Sequence, residues 1–191
     1  ACGTVSSTAL EVLKEEYNLP ILGVVEATAE AAINATQNGK IGIIGTPGTI
    51  KSGAYEKYIK AKNAQLETFS TACPLFVPLV ENGHFETEVA KLVVKEYLEE
   101  IKNSGVDTLI LGCTHYPLLL EKIKAYMPVG IQVICQGEYV AASLQDYLRR
   151  HPEMDERCSQ GGQCSFYTTE SVEKFISSAS LFLQETIEVK H

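Results

Sequence analysis

Two cysteine turns hold the residues best suited to chemistry. Gly112-Cys113-Thr114-His115-Tyr116-Pro117 follows an apolar run that reads as a strand and precedes a run that reads as a helix. A cysteine at such a turn lies near helix-N-terminal amides, which favour its thiolate. His115, two residues on, can assist proton transfer or polarise a carboxylate. Thr114 offers a hydroxyl and an amide to an anionic ligand. The plainer reading of this turn is a small buried cysteine beside a capping threonine. Ala1-Cys2-Gly3-Thr4 repeats the layout of a cysteine followed by a hydroxyl that opens a helix. The two turns are far apart in sequence, so they meet only if two lobes face each other across a cleft. Taken alone, Cys2 reads as no more than a terminal residue.

Other positions carry weaker signals. Glu26, Thr46 and Gln136, like Cys113, directly follow runs that read as strands. In parallel α/β sheets, ligands gather beyond the carboxyl ends of the strands. Glu26 reads equally as a site carboxylate or as a solvated loop residue. Cys73 precedes Pro74 in a loop and reads as structural. Cys158 and Cys164 with His151 fall short of four metal ligands at a usual spacing, so the segment reads as a surface loop. His84, beside Gly83, reads as solvated, and His191 is terminal.

The elements that must position these groups alternate. A helix capped by Ser6 or Ser7 runs to Tyr17 and ends at Asn18-Leu19-Pro20. Strands are expected at Ile21–Val25, Lys40–Gly45, Leu66–Thr71, Asp107–Leu111 and Ile131–Cys135, with short ones near Phe166 and at Ile187–Val189. Helices are expected at Ala27–Gln37, from Thr49 or Ser52 to Lys62, and at Glu86–Asn103, Leu118–Tyr126, Glu138–Arg150 and Glu170–Leu183. Cys73–Gly83, with Pro74 and Pro78, and the polar stretch to Gln163 read as loops. This alternation implies an α/β fold with doubly wound parallel sheets. The expected partition is two lobes, residues 22–134 in one and residues 1–21 with 135–191 in the other. The active site would then lie in the cleft between them.

The 191 residues carry a formal net charge of -8, with 45% apolar and 21% charged. Nothing in that balance invites nucleic acid or an anionic membrane surface, although local donors can still bind an anion. No apolar run approaches the roughly 20 residues that span a bilayer. With no basic-then-apolar leader, the cytoplasm is the default. The six cysteines are irregularly spaced and read as free thiols. The chain opens without Met on a helix that has no strand before it, so it reads as a fragment lacking preceding residues.

Leu111-Gly112-Cys113-Thr114-His115-Tyr116-Pro117-Leu118-Leu119 resembles the second-cysteine motif of glutamate racemases, and Ala1-Cys2-Gly3-Thr4 resembles their first, Ala-Cys-Asn-Thr. Gly23–Glu26, Gly45–Tyr55 and Ala72–Glu81 are similar to that family's central segments, in the same order. The related aspartate racemases usually carry an acidic residue after Cys-Thr, so His115 favours glutamate. The resemblance implies interconversion of L- and D-glutamate by two cysteines, without pyridoxal phosphate, metal or nucleotide, for bacterial peptidoglycan. It implies Cys2, Cys113 and His115 as catalytic. It implies Gly3, Thr4, Thr46, Thr49 and Thr114 as substrate contacts, with Glu26 as an auxiliary group. The implied partner is the small-molecule substrate glutamate, with no nucleic acid and no membrane; a homodimer is left open. Gly3 departs from the family's Asn, and Gln136-Gly137 from a common Asp-Ser. The family's N-terminal Asp-Ser-Gly and Tyr-Gly motifs have no counterpart here.

Overall fold

A computed structural model describes residues 2–169, 171–183 and 185–190. Ala1, Glu170 at the expected helix start, Gln184 and the terminal His191 lie outside the described residues. Compactness divides the chain into Ala1–Asp146 and Tyr147–His191.

The first unit is built on β1 (Lys40–Gly45), β2 (Glu67–Ala72), β3 (Thr108–Leu111) and β4 (Gln132–Cys135), all parallel and in the order β2-β1-β3-β4. Apart from Lys40 at the start of β1, the two central strands are buried throughout and largely apolar, as strands covered on both faces must be. Their side chains divide by the two-residue period. Ile41 and Ile43 of β1 with Ile110 of β3 pack with Ala29, Ala32, Tyr55 and Ile59. Those partners come from α3 (Val25–Ala35) and α5 (Ala54–Lys62). Ile44, Leu109 and Leu111 face the other way, onto Ala90, Val94, Leu98 and Ile101. These four form one stripe of α7 (Glu88–Asn103), whose Thr87 cap accepts the Ala90 amide at 3.3 Å. The result is a three-layer sandwich of helices on both faces of a parallel sheet, the expected fold class.

Several local expectations are corrected. Ile21–Val25 is not a strand: Val25 opens α3, and Val24 is buried with its amide on Ser6 Oγ at 3.2 Å. A short apolar run has no period that separates a strand from a buried helix start. Glu26 therefore sits exposed in the first turn of α3 rather than at a strand end. The first expected helix is two, α1 (Gly3–Thr8) and α2 (Leu10–Glu16), broken at Ala9, where φ is -125° and ψ -6°. Cys2, in extended conformation, takes the cap position, and Ser7 instead donates back to the Gly3 carbonyl. The expected helix after Thr49 is also two, α4 (Pro47–Ser52) and α5, because Gly53 adopts a left-handed φ of 62° between them.

Cys73–Gly83 is not all loop. It contains α6 (Phe76–Glu81), in which Pro78 is tolerated because first-turn amides have no helical partner to lose. A 3-10 turn, Tyr116–Leu119, precedes α8 (Leu120–Tyr126), and α9 (Gln136–Arg150) begins directly on β4. Beyond it the expected loop holds α10 (Pro152–Asp155). β5 (Phe166–Tyr167) pairs in parallel with β6 (Val189–Lys190), and α11 spans Val172–Leu183. Among the described residues, no helix is long and apolar enough to cross a membrane.

Candidate active site

In the order β2-β1-β3-β4, the chain leaves β1 toward one edge and β3 toward the other. The crevice beyond the carboxyl ends of β1 and β3 is therefore the switch point at which such sheets bind ligands. Thr46 follows β1 and Gly112-Cys113 follows β3, with Ile44 paired to Leu111. The Gly112 amide bonds the Ile44 carbonyl at 2.7 Å, extending the ladder up to the cysteine.

Cys113 is 8% exposed, and its Sγ lies 3.8 Å from His115 Nδ1. The other ring nitrogen, Nε2, is 3.3 Å from Glu81 Oε1. Cys113, His115 and Glu81 thus form a line from a buried thiol to an exposed carboxylate. Tyr116 packs the turn after β3 against the segment that carries Glu81. Its hydroxyl donates to the Cys73 carbonyl at 3.1 Å, and its ring meets Phe76, the first residue of the helix that Glu81 ends, edge-on at 5.0 Å. Burial pushes the Cys113 thiol up. The His115 and Thr114 amides aimed at the sulfur pull it down, while the Cys2 and Glu81 charges add to the rise. Glu81 went unrecognised in the sequence because its segment read as loop, and only α6 brings it to His115.

The first cysteine turn reaches the same crevice. Gly3 is buried, and a Cβ built there would come within 2.2 Å of the Gly112 carbonyl oxygen. The backbones that carry Cys2 and Cys113 therefore touch, and only glycine fits at the contact. Cys2 itself is exposed. One residue on, Thr4 Oγ1 lies 2.8 Å from Thr46 Oγ1 and 3.4 Å from Thr49 Oγ1, and the latter two are 3.0 Å apart. Thr46 also caps α4, accepting the Thr49 amide at 3.3 Å. Three hydroxyls thus stand together on the β1 side of the crevice and Cys113 on the β3 side. Thr114 is exposed beside its cysteine. Hydroxyls and turn amides in this setting can hold a carboxylate, while the thiol and imidazole can move protons.

The remaining positions stand elsewhere. Cys73 is fully buried, and burial pushes its thiol far up, the state of an inert structural cysteine. Cys158 and Cys164 are exposed, and no group of three or more His, Cys, Asp or Glu is gathered for a metal among the described residues. His84 lies in the turn before α7, where its carbonyl accepts from Thr87 Oγ1 at 2.6 Å.

Residues 1–144 match the family model described as Asp/Glu/Hydantoin racemase. The chain belongs to this racemase family. It is 54% identical over 128 residues to a glutamate racemase of Sulfurihydrogenibium, a match covering 67% of this chain and 49% of that protein. Among solved structures, a glutamate racemase isoform from Bacillus anthracis superposes with TM-score 0.91 at 36% identity, covering 99% of this chain and 70% of the other. The glutamate racemase of Francisella tularensis, solved with D-glutamate, gives TM-score 0.88 at 31% identity over 98% of this chain and 69% of the other. The chain thus spans about half to about 70% of the racemases it matches. Both structural matches carry the same α/β architecture with a parallel sheet.

Proposed function

We propose that the chain carries the two-thiol site of a cofactor-independent glutamate racemase. The observation that supports this most is the Cys113–His115–Glu81 line at the end of β3, with the Cys2 turn backed directly onto Gly112. The likeness to a racemase solved with D-glutamate supports glutamate as the substrate. Inverting an α-carbon means removing its proton from one face and returning one to the other, so two groups on opposite sides are needed.

In one direction a Cys113 thiolate takes the α-proton of L-glutamate and becomes a thiol. The Cys2 thiol then delivers its proton to the opposite face and becomes the thiolate. In the other direction Cys2 takes the proton of D-glutamate and Cys113 returns one. His115, held by Glu81, orients toward Cys113 and moves its proton. Thr4, Thr46 and Thr49, the Thr114 amide and the backbone at Gly3 supply donors for the substrate carboxylates and for charge that builds as the proton leaves. In this reading the D-glutamate made in the cytoplasm supplies peptidoglycan.

Incubation in deuterium oxide tests the proposal. Deuterium should enter the α-position of both glutamate enantiomers and not of aspartate or a hydantoin. Exchange into aspartate or hydantoin alone would reassign the substrate, and exchange into none would remove the catalytic reading.

A further inference from the structure

Between the two cysteine turns lies a buried polar pair that the proton-transfer chemistry does not use. Gln136, directly after β4, is 4% exposed, and its Nε2 donates to the Tyr55 hydroxyl at 2.6 Å. Its Oε1 is buried and has no hydrogen-bond partner among the described residues. Turning the amide over would give Oε1 to the phenol and orphan Nε2 instead, so one amide atom is unpartnered either way. A Cβ at Gly3 would lie 3.4 Å from Gln136 Nε2, and one at Gly112 would lie 3.4 Å from Tyr55 Cε2. The pair therefore reaches from the residue after Cys2 to the residue before Cys113. Tyr55 is 1% exposed and its hydroxyl is pushed up to about 12, chiefly by burial, so it stays a neutral phenol at working pH.

We propose that Gln136, braced by Tyr55, is a positioning residue that holds the Cys2 turn at a set distance from the Cys113 turn. The proposal rests on the two-thiol reading, since that reading gives the distance its meaning. Besides the Thr4 hydroxyl contacts with Thr46 and Thr49 and the Val24 amide on Ser6, the first turn has little to hold it: Gly3 is the one buried residue of α1, and α2 has none. A buried amide with an unpartnered atom is unfavourable on its own, so its place beside both turns points to a constraint from the chemistry. Being neutral, it also braces the turns without adding negative charge beside two thiols. A carboxylate there would disfavour both thiolates.

The test uses the full chain and follows alkylation of Cys113 by iodoacetamide against pH, with the modified residue located by mass spectrometry. In the unaltered chain, Cys2→Ser removes a neighbouring charge and should lower the Cys113 midpoint. The size of that drop measures how close the thiols stand. In Gln136→Met, which keeps the length but not the hydrogen bonds, the drop should shrink by at least about half. Turnover should fall on the order of 10-fold in both directions with KM little changed, as expected for sub-ångström misplacement. Tyr55→Phe should act in the same direction and carries the test if Gln136→Met does not fold. Gln136→Glu should raise both thiol midpoints. An unchanged drop in folded Gln136→Met or Tyr55→Phe overturns the positioning role while leaving the two-thiol site intact. No effect of Cys2→Ser in the unaltered chain overturns both.

Discussion

Cys113 is raised by burial first and by the Cys2 and Glu81 charges after the nearby amides have pulled it back, so its reactivity is set by its neighbours. Removing one of those charges should lower it. Glu81→Gln is expected to bring the midpoint of Cys113 alkylation to lower pH, and a midpoint that stays or rises would contradict the Glu81–His115–Cys113 line. The same substitution removes the negative charge that faces His115 Nε2, and turnover should drop by about 10- to 100-fold. Cys2→Ser and Cys113→Ser should each abolish racemisation. For an analogue with a good leaving group, each variant should still eliminate one enantiomer, a different one in each; loss of both enantiomers in both variants would refute the face assignment. Cys113 and His115 were legible in the sequence because their chemistry is local: strand, cysteine, hydroxyl, histidine, helix. Glu81 was not, because its partner is reached only through a helix that Pro74 and Pro78 disguise as loop.

At the level of elements, the two cysteine turns meet backbone on backbone, leaving no room for a side chain at Gly3. Gly3→Ala would place a methyl carbon 2.2 Å from the Gly112 oxygen, so α1 must lift away from β3. Turnover should be lost, with a stability cost of about 1–3 kcal/mol read from urea denaturation. Gly137→Ala, which meets nothing within 4 Å, is the matched control and should be near neutral. The turn into β3 holds a second sensitive contact. Asp107 accepts from Thr36 Oγ1 at 2.6 Å and from the Gln37 and Asn38 amides at 2.7 Å each. Burial pushes its carboxyl up, but these donors together outweigh burial and hold it below the usual carboxylate range. With its folded pKa depressed, Asp107 contributes stability that is present above its unfolded value and lost as pH falls through the folded value. Asp107→Asn should therefore destabilise the chain at neutral pH and flatten its acid-denaturation limb; an unchanged limb would show that the turn does not depend on the charge.

For the molecule as a whole, most of the sheet could be read in advance, since β1 and β3 are unbroken apolar runs between clear helix stops. What could not be read was their spatial order and the N-terminal packing, where Ile21–Val25 has strand composition but pairs with no strand among the described residues. Which runs pair is decided by burial on both faces, a property of the assembled layers. Hydrogen exchange should display those layers directly: amides of β1 beyond Lys40 and of β3, all buried, should protect longest, and those of α2, with no buried residue, should exchange early. The contact of Gly3 with Gly112 has a kinetic consequence as well. It joins the first residues to the end of β3, so it closes a very long loop and brings late reward for its entropy. In the proposed two-thiol site, the cysteine turns can meet only after β3 has paired with β1. Quenching of thiol coupling during refolding should thus lag behind the recovery of helix and sheet, making the site itself a clock for the last step of folding.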